Sequence, residues 1–357
     1  MGFREISISF MASLVLGVVL TPLARMLALR TGLMDNPQGR KEHLMSTPLL
    51  GGMAIYASFA VTAALGMKLI DGDSSMIPLS WGTLCLMVIM AGGLMALVGL
   101  VDDILGLRPS VKLMLHTAAA VLAGAFFITR GALLSLFLTG SSLAWLTVPI
   151  TVLWLVGITN SVNLLDHADG LSAGTCSIAA IFFAAVNFLN GNYSVAFVSA
   201  CLAGATIGFF VYNHNPASIF MGDCGSNMLG FMLGIIAVLG VYTREGSVRE
   251  IAIFTPLLIL ALPIIDTTFV LVYRWKNGRP LFAADRNHLA HRLMRLGLSH
   301  SEAVKLLLAV AVLMGMPALL LSTLSPFQAI LVFFHALGLV MLFSYFMHSA
   351  EKRGMGR

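Results

Sequence analysis

Charged residues are scarce in this chain. Only 10% of its 357 residues are Asp, Glu, Lys or Arg, whereas 58% are hydrophobic and the mean hydropathy is +0.93. Soluble globular domains carry about 25% charged residues, so this composition excludes one. Four cysteines without C-x-x-C spacing exclude a cysteine-based zinc or redox site, and we predict no disulfide. The sequence has no basic patch interleaved with aromatic residues, which excludes a nucleic acid partner.

Long apolar runs are abundant instead. A run of about 20 residues can cross the hydrocarbon core as a helix that satisfies its own backbone hydrogen bonds. Eleven such runs lie near 5–24, 51–70, 81–101, 111–129, 143–162, 172–190, 193–212, 226–243, 251–273, 303–322 and 327–347. Because no repeat or linker divides the chain, we predict a single all-α, polytopic integral membrane domain over residues 1–357. It would be a bundle of about eleven transmembrane helices.

The distribution of Lys and Arg predicts an orientation. With the N-terminus outside, sixteen of the 21 basic residues fall on one side of the membrane and five on the other. Basic residues accumulate on the cytoplasmic side of membrane proteins. We therefore predict a multi-pass protein of the inner (plasma) membrane, with the N-terminus outside and the C-terminus inside.

Five polar segments fall on the predicted cytoplasmic side. They read "RKEHLMSTPLLGG" (40–52), "VDDILGLRPSVK" (101–112), "NSVNLLDHADGLSAG" (160–174), "YNHNPASIFMGDCGS" (212–226) and "DRNHLAHRLMRLGLS" (285–299). The loops on the other side are mostly short and contain no histidine. This asymmetry predicts an active site at the inner membrane surface.

The residue types in these segments point to phosphate chemistry. Five carboxylates recur in them, those of Asp102, Asp103, Asp166, Asp169 and Asp223. Bare carboxylates at short range repel one another, whereas a hard divalent cation such as Mg²⁺ or Mn²⁺ prefers oxygen ligands and leaves positions for substrate phosphates. Donors suited to phosphate oxygens accompany them, namely Lys41, Lys112, Arg292, His288 and His291. Together they predict metal-assisted phosphoryl transfer.

Taken singly, several of these motifs have a purely structural interpretation. Adjacent aspartates such as Asp102 and Asp103 often cap a helix or a turn. Isolated histidines such as His288 and His291 are more often surface residues than catalytic ones. The glycine turn in "GDCGS" can serve close helix packing as well as the approach of a phosphate.

The stripe formed by Asn163, Asp166 and Asp169 is harder to explain structurally. Spacing of three residues places these side chains along one helical face, where polar groups at a membrane edge are costly without a partner. Their occurrence together with the other motifs favours an active site. A secondary transporter is the alternative class, but its ionisable groups lie near the bilayer midplane. Among the carboxylates of this sequence, only that of Asp266 lies well inside an apolar run.

The five segments, in this order, resemble the polyprenyl-phosphate N-acetylhexosamine-1-phosphate transferases. That family includes enzymes that make undecaprenyl-diphospho-N-acetylglucosamine and enzymes that use UDP-N-acetylmuramoyl-pentapeptide. The resemblance covers residues from about 15 to 300. It implies a bundle of ten or eleven transmembrane helices with a cytoplasmic active site.

The resemblance also implies roles for individual residues. Asp223 of "FMGD" would ligate Mg²⁺ together with Asp166, and Asp102 and Asp103 would act in catalysis near the metal or the lipid phosphate. Asn163 and Asp166 would border the nucleotide and its diphosphate, Asp169 would face the uracil, and Phe220 would stack on it. Further substrate contacts are expected from Lys41, His43, Lys112 and Arg292, with Lys112 and His288 on phosphates. Asp169, His288 and His291 are further expected catalytic residues.

Two departures from the family pattern are visible. His167 replaces the usual glycine between the paired aspartates, which we expect to alter the nucleotide pocket. Ala290 stands where many members have a second histidine, so only His288 and His291 are present in the loop of the fifth segment, 285–299. The loop lacks the triple histidine of the muramoyl-pentapeptide enzymes, which favours N-acetylglucosamine.

The resemblance therefore implies transfer of N-acetylglucosamine 1-phosphate from a UDP-sugar to undecaprenyl phosphate, with UMP as the other product. This would be the first membrane step of cell-envelope glycan synthesis. Transfer from UDP-N-acetylmuramoyl-pentapeptide is the alternative. The expected partners are UDP-N-acetylhexosamine, undecaprenyl phosphate and the lipid bilayer, and a homodimer is left open. Direct displacement by the lipid phosphate is favoured, with a covalent aspartate intermediate as its rival.

Overall fold

The computed structural model describes residues 1–35, 46–70, 79–129, 146–242, 254–280, 287–325, 327–339 and 341. The first eight helices are α1 (Phe3–Thr31), α2 (Gly51–Leu69), α3 (Trp81–Leu105), α4 (Pro109–Thr129), α5 (Thr147–Leu165), α6 (Leu171–Leu189), α7 (Tyr193–Asn213) and α8 (Gly222–Leu239). They are followed by α9 (Phe254–Ile259), α10 (Ala261–Lys276), α11 (Leu289–Arg295), α12 (His300–Gly315) and α13 (Phe327–Leu339). Two 3₁₀ turns, Met316–Leu319 and Leu321–Thr323, extend α12.

The prediction of a polytopic all-α protein is confirmed. Among the described residues, nine helices are long and apolar enough to cross a membrane: α1 to α8, and α12 with its 3₁₀ extension. They coincide with nine of the eleven predicted runs. Of the last run, 327–347, the structure describes α13 and residue 341, and the remaining positions lie outside the described residues.

The ninth predicted run, 251–273, is broken into α9 and α10 around Leu260. Proline has no backbone N–H, and its ring clashes with the carbonyl group four residues earlier. Pro263 therefore lacks the N–H that a continuous helix would direct to Ile259. The break sets α10 apart as a separate helix, and α10 carries Asp266.

The centre of the bundle consists of α6, α7 and α8, whose side chains are mostly buried. Helix α1 packs along α7, where Ser13 Oγ donates to the carbonyl oxygen of Cys201 at 2.7 Å and Tyr212 Oη donates to that of Val18 at 3.1 Å. The outer faces of α1, α3 and α4 expose large apolar residues, as expected of a surface that contacts lipid.

A short sheet lies at the end of the bundle where the polar motifs meet. Strands β1 (Met34–Asp35) and β2 (Thr47–Pro48) pair in antiparallel fashion. The Phe220 N–H donates to the carbonyl oxygen of Pro48 at 2.8 Å, and the Gly51 N–H donates to that of Phe220 at 3.0 Å. These bonds hold the segment before α8 against the start of α2. The first and fourth motifs are thereby brought together.

Close packing of α3 on α8 depends on Gly99. A Cβ at this position would overlap the carbonyl oxygen of Asp223 and would approach Cα of Cys224 to 2.5 Å. Both obstacles are backbone atoms, so neither moves aside without shifting a helix.

We expect Gly99→Ala to lower the stability of the protein by about 1–3 kcal/mol, the usual penalty for overpacking. Thermal unfolding of the detergent-solubilised chain measures this change. Gly157→Ala on α5 is the matched control, because a Cβ there meets no atom within 4 Å. Equal midpoints for Gly99→Ala and the wild type would contradict the prediction.

Candidate active site

The ammonium group of Lys112 lies at the centre of the polar cluster. Its Nζ is 2.8 Å from Asp102 Oδ2 and 2.8 Å from Asp223 Oδ2, and it donates to Asn163 Oδ1 at 3.2 Å. These four residues come from α3, α8, α5 and α4, whose ends meet here. One cation therefore joins two carboxylates that are 121 residues apart in the chain (223 − 102).

Asn163 ties the last turn of α5 to the first turn of α8. Its Nδ2 makes a short hydrogen bond to Asp223 Oδ1 and donates to Ser226 Oγ at 2.9 Å. Asp223 and Ser226 are three residues apart, so they face α5 from the same side of α8. The predicted proximity of the third and fourth motifs is thus present in the structure.

The adjacent aspartates of the second motif have different partners. Asp102 is buried, and its Oδ1 accepts the Leu107 N–H at 2.8 Å, which closes the turn between α3 and α4. Asp103 instead accepts the N–H groups of Asp223 and Cys224, at 2.8 and 3.0 Å. Asp103 therefore caps the N-terminus of α8, where a negative charge is favoured.

Gly222 makes this cap possible. Its φ of +67° lies in the left-handed region, and a Cβ there would come within 2.5 Å of Asp103 Oδ2. The glycine turn in the fourth motif thus serves helix packing and capping. The first-turn amides that could have bound a phosphate donate to Asp103 in this structure.

Asp166 lies just after α5, which ends at Leu165. The prediction that Asn163, Asp166 and Asp169 line one helical face is therefore wrong, because Asp166 and Asp169 lie in the turn that follows the helix. Burial raises the pKa of the Asp166 carboxyl to about 8, and the neighbouring charges of Asp223, Asp103 and Asp169 raise it further in the same direction. Without a further cation, the cluster therefore holds Asp166 in its neutral form at pH 7. Such a group is suited to ionise when a divalent cation binds.

Asp169 is buried and holds the turn that leads to Phe220. Its Oδ2 accepts from Asn215 Nδ2 at 3.1 Å and from the Ala217 N–H at 3.0 Å. Gly170 adopts a φ of +76° and donates its N–H to Asn213 Oδ1 at 3.2 Å. The expected roles of Asp169 and Phe220 toward uracil stay predictions.

His288 stacks on His167, the residue that departs from the family pattern, and His291 packs against it with a tilted ring. Ring centroids lie 4.2 Å apart for His167 and His288, and 4.9 Å apart for His167 and His291. Burial lowers the pKa of His167 to about 3, and the neighbouring His288 acts in the same direction. His167 is therefore neutral at physiological pH. Its side chain faces the segment from His288 to His291, here called the histidine loop.

Three further residues were predicted from the sequence to contact substrate, namely Arg292 and, in the first motif, Lys41 and His43. Arg292 is buried, with its guanidinium 4.2 Å from the ring centroid of Phe269 and its Nε donating to the carbonyl oxygen of Asn287 at 3.2 Å. Its contact with substrate stays a prediction. Lys41 and His43 lie outside the described residues.

Asp266 is a residue of this region that sequence reasoning did not assign to the site. Its Oδ2 lies 2.7 Å from His288 Nδ1, and its Oδ1 accepts the Leu289 N–H at 2.7 Å. The signal was available, because a carboxylate inside an apolar run is expensive unless it has a specific partner.

Comparison with known proteins identifies the family. Residues 85–241 match the family model of glycosyl transferase family 4. The chain is 33% identical over 331 residues to a probable undecaprenyl-phosphate N-acetylglucosaminyl 1-phosphate transferase of Bacillus subtilis (strain 168). The match covers 92% of this chain and 88% of that protein. The chain belongs to glycosyl transferase family 4.

Other relatives carry related names. A decaprenyl-phosphate N-acetylglucosaminephosphotransferase of Mycolicibacterium smegmatis is 32% identical over 327 residues, covering 85% of this chain and 79% of that protein. A phospho-N-acetylmuramoyl-pentapeptide-transferase of Clostridium botulinum is 34% identical over 243 residues, covering 64% of this chain and 71% of that protein. The resemblance inferred from the five motifs is thereby confirmed. This family 4 member is a phosphosugar transferase.

We expect Asp166→Asn to stabilise the metal-free protein at alkaline pH. The folded chain keeps the proton of Asp166 up to about pH 8, whereas the unfolded chain releases it near pH ~4. Its contribution to stability therefore falls as the pH rises through this interval. In EDTA, the variant should unfold at a higher temperature than the wild type at alkaline pH, and the two should converge at acidic pH.

Thermal unfolding over a pH series measures the difference, with Asp71→Asn as a control that removes a carboxylate outside the five motifs. A difference between Asp166→Asn and the wild type that does not vary with pH would contradict the assignment.

Proposed function

We propose that this protein transfers N-acetylglucosamine 1-phosphate from UDP-N-acetylglucosamine to undecaprenyl phosphate and releases UMP. The observation that carries the proposal is the Lys112 ammonium held between Asp102 and Asp223 at the meeting point of four helices. The donor and acceptor follow the names of the relatives from Bacillus subtilis and Mycolicibacterium smegmatis. The proposal places the site at the cytoplasmic face of the inner membrane, as the distribution of basic residues suggests.

The charge balance of the cluster supports a divalent cation. Asp102, Asp103 and Asp223 contribute carboxylates, and Asp166 would add a fourth when it ionises, whereas Lys112 pairs with two of them. A bound sugar diphosphate would add further negative charge. The donors are carboxylate and amide oxygens, which suit Mg²⁺, and Mn²⁺ as a substitute. In this proposal Asp223 and Asp166 hold the ion, which would neutralise charge on the diphosphate.

The reaction itself needs little base catalysis. An oxygen of the lipid phosphate attacks the β-phosphorus of the UDP-sugar, the bond from that phosphorus to the bridging oxygen breaks, and UMP leaves with the electron pair. A phosphate monoester has a second pKa near ~6, so the attacking oxygen is largely ionised at neutral pH. The main tasks of the chain are to orient the two phosphates and to stabilise charge.

Asp102 and Lys112 suit these tasks. The two oxygens of Asp102 contact the Leu107 N–H and the Lys112 ammonium, so the carboxylate fixes the position of the cation. The Lys112 ammonium can turn toward a phosphate oxygen, because its donors rotate on a flexible stem. Asp102 thus acts as a positioning residue in this proposal.

The muramoyl-pentapeptide donor is a second candidate, since the relative from Clostridium botulinum carries that activity in its name. A secondary transporter has less support. Its one indication was Asp266 within an apolar run, and that carboxylate is paired with His288.

We expect turnover to require a divalent cation and Asp223. Purified protein with undecaprenyl phosphate, Mg²⁺ and a panel of UDP-sugars should release UMP, fastest with UDP-N-acetylglucosamine. EDTA should stop the reaction, and Asp223→Asn should lower kcat by about a hundredfold or more, because charge stabilisation at the diphosphate is lost. Asp71→Asn serves again as the control, with wild-type turnover expected. Full activity in excess EDTA would refute the metal requirement.

We expect Asp102→Asn to retain a slow residual rate. Direct displacement requires the lipid phosphate before any UMP appears, and an asparagine can still contact Lys112 through its carbonyl oxygen. The loss should be about ten- to a hundredfold, corresponding to one charged hydrogen bond. Rapid release of one UMP per protein molecule without lipid, with a phosphosugar adduct on Asp102 by mass spectrometry, would establish the covalent route instead.

A further inference from the structure

Asp266 is a fully buried carboxylate in the first half of α10. Burial of a carboxylate is expensive unless its oxygens are hydrogen-bonded or paired with charge. Both oxygens have such partners, His288 Nδ1 and the Leu289 N–H, each at 2.7 Å. Because the two partners are consecutive residues, Asp266 fixes the start of α11 and the ring of His288 at the same time.

The contact with Asp266 defines the protonation pattern of His288. A carboxylate that carries charge only accepts hydrogen bonds, so Nδ1 must carry a proton in order to pair with it. In neutral His288, Nε2 is then the unprotonated nitrogen, and a second proton can be added only there. The same logic applies to His167, whose Nδ1 lies 3.1 Å from the carbonyl oxygen of Leu164.

One face of the His288 ring is also in contact with a second ring. The His288 ring stacks on His167 with the ring planes 27° apart, and His167 follows Asp166 directly in the chain. The stack therefore connects the histidine loop to the acidic cluster. A glycine at position 167, the residue usual in the family, would leave this face of His288 without an aromatic neighbour.

A metal site is the alternative interpretation of this cluster. Ligand-type atoms of His167, Asp266 and His288 lie within 4.8 Å of one another. However, metal ligation uses the in-plane lone pairs of imidazole, and two stacked rings direct these pairs side by side instead of toward one point. The short bond from His288 to Asp266 is that of a hydrogen-bonded pair. We therefore interpret the cluster as a dyad with a stacked third ring.

We propose that Asp266 is a positioning residue that orients His288, with His167 as the packing surface, so that His288 Nε2 is the atom presented to the substrate diphosphate. This inference rests on the proposed function for the identity of the ligand. The pairing of Asp266 with His288 is independent of it. The two parts are therefore tested separately.

A double-mutant cycle tests the effect on the reaction. Asp266→Asn should lower kcat about ten- to a hundredfold, the value of one charged hydrogen bond, with a smaller change in KM for the UDP-sugar. In a His288→Gln background the same substitution should have little further effect, because Asp266 acts through His288. Asp266→Glu should restore part of the rate. His167→Gly should cost less than Asp266→Asn, since it leaves the hydrogen bond intact.

Thr267→Val is the matched control. It removes a hydroxyl group from the neighbouring residue of the same helix, and that hydroxyl has no hydrogen-bond partner in the structure. Its kcat should equal that of the wild type. An equal loss from Asp266→Asn in the wild-type and His288→Gln backgrounds would overturn the proposal, because it would mean that Asp266 acts through the fold alone.

Nitrogen NMR of the ¹⁵N-histidine-labelled full chain in detergent tests the dyad without substrate. His288, assigned by comparison with His288→Gln, should show the Nδ1–H tautomer when neutral, and Asp266→Asn should convert it to Nε2–H. An Nε2–H tautomer in the wild type would overturn the dyad, as would stoichiometric zinc that is lost in His288→Gln. A wild type that turns over no UDP-sugar but shows the expected tautomer would refute the proposed function and leave the dyad standing.

Discussion

The ammonium of Lys112 between the carboxylates of Asp102 and Asp223 is the contact on which the site depends. Two carboxylates brought this close together repel each other. The ammonium offsets this repulsion. It thereby allows the C-terminus of α3 to meet the N-termini of α4 and α8. Asn163 adds α5 to the same point through its bond with Asp223. The cluster is still rich in negative charge, which the proposed divalent cation would offset when a phosphate substrate binds.

The N-terminus of α8 illustrates how the fold fixes this arrangement. The Asp103 carboxylate accepts two of its free N–H groups, and the left-handed Gly222 lets the chain pass close to that carboxylate. Asp223 is thereby held with its side chain toward Lys112. Because Gly99 allows backbone contact between α3 and α8, the cap and the ion pair form at adjacent residues of α3. The absence of a side chain at Gly99 therefore allows both the ion pair of Lys112 with Asp102 and the cap formed by Asp103.

The histidine loop lies next to the acidic cluster and is held in place by α10. The break caused by Pro263 separates α9 from α10, and Asp266 lies three residues after that proline. Its bond to His288 and the stack of His288 on His167 connect this loop to the residue after Asp166. The departure of His167 from the family pattern thus has a structural consequence, since its ring packs against the loop that carries the other two histidines.

The sequence by itself determined the membrane setting, most of the helices and the five polar segments of the candidate site. These features follow from local properties, because a helix satisfies its own backbone hydrogen bonds and an apolar run of sufficient length needs no other partner. The broken ninth run was also predictable in principle from Pro263. The tertiary structure decided which polar group meets which. Asp102 and Asp103 are neighbours in sequence, but successive residues of a helix point about 100° apart, so one meets Lys112 and the other caps α8. Likewise, Asp266 and His288 are separated by 22 residues. Only the packing of α10 beside the histidine loop gives the buried carboxylate its partner.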